Sequence, residues 1–311
     1  MAFTATDVKK LREMTGVGMM DCKKALAAND GDMDKAVEWL RQKGLAAAQK
    51  KAGRIAAEGM AYADVISGVG VVVEVNAETD FVAKNELFVE FVHAVAQAVA
   101  DNDPADVPAL MACKYPGSDM TIEQAQQEKI LVIGEKISVR RFARYSAGYN
   151  VPYVHMGGRI GVMVNMEISD NIKDKPEVEE LGKDIAMQIA AMRPIYLDSA
   201  SVDAEELEKE KSIQMAKAME ENKAKNLPED KAKKIAENMV KGRLNKFFEE
   251  ICLLNQPFVK ENKITVEKHV QAVAKQLGGT IAVKAFTRFE KGEGIEKKED
   301  DFAAEIASMM K

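Results

Sequence analysis

The chain has 311 residues, with 44 Lys+Arg against 50 Asp+Glu for a formal net charge of −6. That length fits about two or three domains, and a 47% hydrophobic share supports packed cores and excludes global disorder. The acidic balance argues against a dedicated nucleic-acid binder, and no run of about 18 apolar residues is present to cross a membrane. The N-terminus, Met1-Ala2-Phe3-Thr4-Ala5-Thr6-Asp7, has the look of neither a signal nor a transit peptide, so a cytoplasmic protein is expected. Three separated cysteines (Cys22, Cys113, Cys252) and three scattered histidines (His93, His155, His269) suggest neither a disulfide framework nor a metal site. No metalloprotease, serine-hydrolase or phosphate-loop motif occurs, so no cofactor is expected. Eighteen methionines are read mainly as core filler.

In chain order, residues 4–44 predict three short helices. Thr4 or Thr6 caps the first, which carries Val8, Leu11 and Met14. The second, from about Met20 to Asn29, buries Cys22, Ala25 and Leu26. Asp32 caps the third, with Met33, Ala36, Val37 and Leu40 inward. A unit this small serves as a docking piece, and Met19 and Met20, beside Gly16 and Gly18, hint at a contact surface. An alanine-rich basic connector follows over 46–58. Met60–Ile66, a turn at Gly68-Val69-Gly70 and the β-branched run Val71–Val75 predict a hairpin. Helices are expected over about 85–101 and 121–127, and a strand over 137–145.

An internal repeat organises the remainder. Residues 120–148 align without a gap on 264–292: Thr121 faces Thr265, Gly134 faces Gly278, and Ile137, Val139 and Phe142 face Ile281, Val283 and Phe286. Gly70-Val71-Val72-Val73 faces Gly161-Val162-Met163-Val164, and the helix over 85–101 faces one over 176–192. Two strand–strand–helix–helix–strand units are therefore expected, each a small sheet with helices on one face. The second copy carries an insertion rich in Glu and Lys. Leu207, Ile213, Met215 and Met219, a break at Asn226-Leu227-Pro228, then Ile235, Met239 and Val240 predict an antiparallel helical hairpin.

No catalytic constellation stands out. Between a strand and a helix, Thr79-Asp80-Phe81-Val82-Ala83-Lys84-Asn85 has a plain structural reading, with Thr79 or Asp80 capping the helix and Phe81 stapling onto residues 85–87. The second copy has Asp170-Asn171-Ile172 there, so the fold unit does not require an Asp-Phe pair. The residues alone leave two hypotheses: a multi-contact protein-binding module, or an enzyme using Asp80 and nearby carboxylates in a cleft between the repeats.

The stretch Thr79–Asn85 resembles the hallmark of the elongation factor Ts family. The run Leu11-Arg12-Glu13-Met14-Thr15-Gly16-Val17-Gly18-Met19-Met20-Asp21-Cys22 is similar to its other signature, and Asn255–Val259, Gly292–Glu296 and Asp301–Glu305 fit as well. The resemblance covers essentially the whole chain. It implies an α+β protein: a ubiquitin-associated-like three-helix domain (1–45), a linker (46–58), core subdomain 1 (59–148), core subdomain 2 (149–292) with a coiled-coil hairpin (198–244), and a C-terminal helical module (293–311). It implies no bond-making chemistry but release of GDP from elongation factor Tu, in a heterodimer or a two-to-two heterotetramer, without direct nucleic-acid contact. Asp80 and Phe81 would form the intruding tip near the partner's magnesium and phosphate site, with Thr79 and Val82 shaping it. Met19, Met20, His155 and Val259 would be further contacts.

Overall fold

The computed structural model describes residues 3–223 and 229–296. The break at Asn226-Leu227-Pro228 and all of the C-terminal module beyond Glu296 lie outside the described residues. The chain divides by contacts into two units: residues 1–146, 154–161 and 289–311, and residues 147–153 with 162–288.

The first unit opens with three helices, α1 (Ala5–Thr15), α2 (Met19–Ala28) and α3 (Met33–Lys51). Thr4 and Asp7 cap each other's backbone N–H at the start of α1, and Gly16 ends it at φ 67°, a conformation that only glycine adopts cheaply. Asp32 caps α3 as its position predicts. Val8, Leu11, Cys22, Ala25, Leu26, Ala36 and Leu40 meet in one small core. α3 runs unbroken to Lys51, taking in the first six residues of the expected linker.

Strands β1 (Glu58–Ile66) and β2 (Val69–Ala77) form the hairpin. Its turn is Ser67-Gly68, both left-handed at φ 51° and 83°, and not Gly68–Gly70. Two-residue turns of this hand match the twist of paired strands, so Val69 already belongs to the ladder. The one-turn helix α4 (Asp80–Ala83), α5 (Glu86–Asn102), α6 (Val107–Ala112) and α7 (Ile122–Ile133) follow, and β3 (Ile137–Tyr145) joins β2 antiparallel for the order β1-β2-β3. α6 was not expected from sequence, and α7 extends six residues past its expected end. The Ile130–Ile133 run reads locally as strand, but Ile130 packs on the sheet core while Leu131 and Val132 cover the three-helix core. α5 lays Phe88, Phe91, Val92, Val95 and Val99 on Val71, Val73 and Val75.

The second unit holds most of β4 (Tyr149–His155) and β5 (Ile160–Ile168), then α8 (Pro176–Met192), α9 (Ala204–Lys223) and α10 (Glu229–Ile251). A small hairpin, β6 (Pro257–Phe258) with β7 (Glu261–Thr265), precedes α11 (Val266–Leu277) and β8 (Ile281–Glu290). The sheet order β4-β5-β8 repeats the first. Thr121 and Thr265 both cap a twelve-residue helix that ends on a left-handed glycine, Gly134 or Gly278. In α5 and α8 the buried positions correspond, with Phe88, Phe91, Val95 and Val99 facing Val178, Leu181, Ile185 and Ile189. Within the insertion, α9 and α10 pack through Ala218, Ala236 and Val240, flanked by Met215, Met219, Met239 and Leu244. Alanine at the contact lets two helix backbones approach closely.

The first unit also encloses a fully buried carboxylate, Glu74 on β2. A bulge leaves Arg140 as the extra residue of β3, and both Arg140 and Arg141 thereby reach it, at 2.9 Å and 2.5 Å. Asn76 Nδ2 and the Gly292 N–H complete its shell at 3.1 Å and 2.8 Å, tying down the turn that follows β8. Gly292 has φ 71°, and a Cβ there would lie 2.0 Å from the Ala57 carbonyl oxygen. Removing a buried carboxylate from its partners costs about 3–5 kcal/mol, and the partial exposure of both arginines places Glu74→Ala near the lower bound, about 3 kcal/mol. Urea unfolding of the variant checks this.

Candidate functional site

The expected tip is a single capped turn between β2 and α5. The Thr79 hydroxyl accepts the Val82 N–H at 3.3 Å, starting α4. The Asn85 side chain accepts the Leu87 N–H at 2.9 Å, starting α5. Two helix starts six residues apart leave no slack, and Val82 and Ala83 are buried beneath them.

Two carboxylates fasten this turn from outside. Glu135 accepts both the Thr79 N–H (3.0 Å) and the Thr79 hydroxyl (2.8 Å). Glu78 accepts the Lys136 N–H at 2.6 Å and is gripped by Arg54 at 3.2 Å, while Lys136 Nζ donates to the carbonyls of Ala52 and Arg54. Hydrogen bonds to a charged acceptor contribute roughly 1.5–3 kcal/mol each, so the 78–79 backbone is held against the bend that follows α7. Glu78 and Glu135 were not singled out from sequence. Only the position of Glu135, one residue past the glycine that ends α7, could have pointed to it.

Phe81 sits on this mount at 81% exposure. Thr79 caps the turn as the plain structural reading holds, but Phe81 does not staple onto residues 85–87, because α4 turns its ring into solvent. Asp80 is exposed beside it and pairs with Lys84 at 3.1 Å. The second copy fastens its turn through Ser169 and Asn171 to Thr280 and Gly278, and there Ile172 is buried, as Val82 is in the first copy. The first copy adds an exposed aromatic ring that the Asp170-Asn171-Ile172 stretch of the second lacks.

The other sequence-selected residues lie on separate elements. Met19 and Met20 open α2 at 43% and 64% exposure, with Val17 buried beneath them. His155 ends β4 and is half-buried. Its flanks Val154 and Met156 are the more exposed side chains, because Met156, Gly157 and Gly158 all take left-handed φ in a tight turn. Val259 lies between β6 and β7 in the second unit at 47% exposure, and Lys260 pairs with Asp184 at 2.7 Å. A groove of about 450 Å³ in the first unit, lined by residues including Met14, Leu45 and Leu131, involves none of these positions.

Burial pushes the Cys22 thiol up and the Cys252 thiol to about 11, so neither is a thiolate near neutral pH. Among the described residues no three His, Cys, Asp or Glu side chains gather where a metal could be held, and no helix is long and apolar enough to cross a membrane.

Residues 78–293 match the family described as Elongation factor TS, from the carboxylate that anchors the tip to the turn that Glu74 ties down. The chain belongs to the elongation factor Ts family. It is similar over 98% of its length to "Elongation factor Ts" of Clostridium perfringens (48% identical, 98% of that protein covered). It is likewise similar to the proteins of that name from Syntrophotalea carbinolica (47%, all of both chains) and Magnetococcus marinus (45%, 100% and 99%). This places it among the translation elongation factors.

Two outcomes follow for the tip. Phe81→Ala changes stability by no more than about 0.5 kcal/mol in thermal unfolding, because the ring is already in water. Glu135→Ala, in contrast, speeds amide exchange across residues 79–82 roughly tenfold or more, the equivalent of one lost charge-assisted hydrogen bond. Hydrogen-exchange mass spectrometry measures the latter.

Proposed function

We propose that this chain is the guanine-nucleotide exchange factor for an elongation factor Tu partner in the cytoplasm, with Phe81 and Asp80 as the intruding tip. The observation that carries the reading is the 81% exposure of Phe81 on a turn that is capped twice and fastened by two carboxylates. Exchange requires no bond to be made by the factor. It requires tighter binding to the nucleotide-free partner than to the GDP-bound one, and by linkage that difference weakens GDP. An aromatic wedge on a fixed backbone supplies such a difference, because it fits only where two partner elements have moved apart. Asp80, carried beside the ring, brings negative charge toward the partner's magnesium and competes for its coordination. Thr79 and Val82 act through the mount, one as cap and the other as buried foot.

In this reading the three-helix unit is a ubiquitin-associated-like docking domain that uses Met19 and Met20, which α2 leaves in solvent. His155 and Val259 are contacts elsewhere on the partner. The α9–α10 pair serves as a coiled-coil arm, and the two repeats are core subdomains, each holding its own contacts. The factor handles a protein and makes no direct contact with nucleic acid.

The deciding experiment is release of labelled GDP from elongation factor Tu. Wild type accelerates release, and Phe81→Ala lowers the rate at saturating factor by roughly 30-fold, as expected for an interface residue contributing ~2 kcal/mol. Equal rates for the variant and wild type would overturn the wedge assignment.

A further inference from the structure

The turn carrying Val259 is held from beneath more firmly than an exposed loop needs. Gln188 on α8 and Gln256 are both fully buried. Gln188 Nε2 donates to Gln256 Oε1 and to the Pro257 carbonyl, each at 3.1 Å, and its Oε1 accepts the Val259 N–H at 2.8 Å. Gln256 Nε2 donates to the carbonyls of Glu250 (3.1 Å) and Met192 (3.4 Å). Both amides therefore use their oxygen and both of their N–H groups. One turn earlier on α8, Asp184 holds Lys260 Nζ at 2.7 Å. The 257–260 segment is fastened on both sides of Val259, whose own side chain is left in solvent.

The repeat shows that this is not a requirement of the fold. Aligning α5 with α8 places Ala94 and Ala98 opposite Asp184 and Gln188, so the first copy packs the same helix face with alanine. The Gln256 bonds to Glu250 and Met192 close the base of the insertion, but the bond from the Val259 N–H to Gln188 contributes nothing to that closure. A buried amide network roughly breaks even on stability against apolar packing and gains a fixed geometry. What it fixes here is an apolar side chain pointing outward.

We propose that Gln188, assisted by Asp184, is a positioning residue for partner binding, setting Val259 as an apolar contact on the same GTPase that the Phe81 tip engages. The inference rests on the exchange-factor reading and assigns a distinct task within it. The tip governs release of nucleotide, whereas the Gln188-mounted turn governs affinity for the partner.

The test is the dependence of GDP release on factor concentration. Gln188→Leu raises the half-maximal concentration about tenfold and leaves the saturating rate within about twofold. Val259→Asp, on an exposed side chain that the fold does not need, does the same and keeps the test decisive if Gln188→Leu folds poorly. Because Gln188 acts through Val259, the double variant is no worse than Val259→Asp alone. The proposal is overturned if Val259→Asp leaves the half-maximal concentration unchanged, or if Gln188→Leu adds its full factor on top of Val259→Asp. A silent Val259→Asp beside a Phe81→Ala that lowers the saturating rate sinks this inference alone. A wild type that does not accelerate release sinks the exchange reading with it.

Discussion

An aromatic ring stays in water only where the backbone beneath it cannot fold it away, and here Glu78 and Glu135 supply that constraint. The two carboxylates join the tip to the bend between α7 and β3 across more than fifty residues of sequence, Glu78 accepting from Lys136 and Glu135 from Thr79. The bend itself depends on Gly134 in the left-handed conformation that ends α7. The presentation of Phe81 is thus a property of the whole first sheet with its helices, since α7 must be docked and β3 paired before either carboxylate finds its donor.

The repeat explains how such a device arises without a new fold. Both copies place a short turn after the central strand, and both stitch it to the segment that follows the second helix. In the second copy Ile172 goes inward and the turn is only a connection. In the first, Val82 also goes inward, and α4 carries in addition Phe81, whose ring is left in solvent. The second copy diverges on its own helix instead, where Gln188 and Asp184 stand in place of alanines and take hold of the 257–260 turn. One scaffold, twice used, carries two different polar mounts, each under an exposed apolar side chain.

Much of the scaffold was legible from local chemistry. Thr4, Asp32, Thr121 and Thr265 announce their helices because a side-chain oxygen at that position satisfies an otherwise orphan N–H. The 144-residue offset between copies survives in the structure at caps, terminating glycines and strands alike. Local chemistry misled where long-range packing decided. Ile130–Ile133 is helical because it is sandwiched between two cores, and the hairpin turn fell on Ser67-Gly68 because strand pairing runs up to Val69. The staple reading of Phe81 failed for a related reason: spacing says which residues are near in sequence, not which way a one-turn helix points.

The sequence by itself therefore pointed to the family, the repeat and most of the element types and singled out the Asp80-Phe81 pair, because caps, periodicity and motif order are local or additive. The tertiary structure alone decided that Phe81 is presented and Ile172 hidden, that Glu78 and Glu135 hold the mount, and that Gln188 holds Val259. Those are pairings between groups far apart along the chain, and hydrogen bonds between such groups exist only once the strands and helices that carry them have been brought into register.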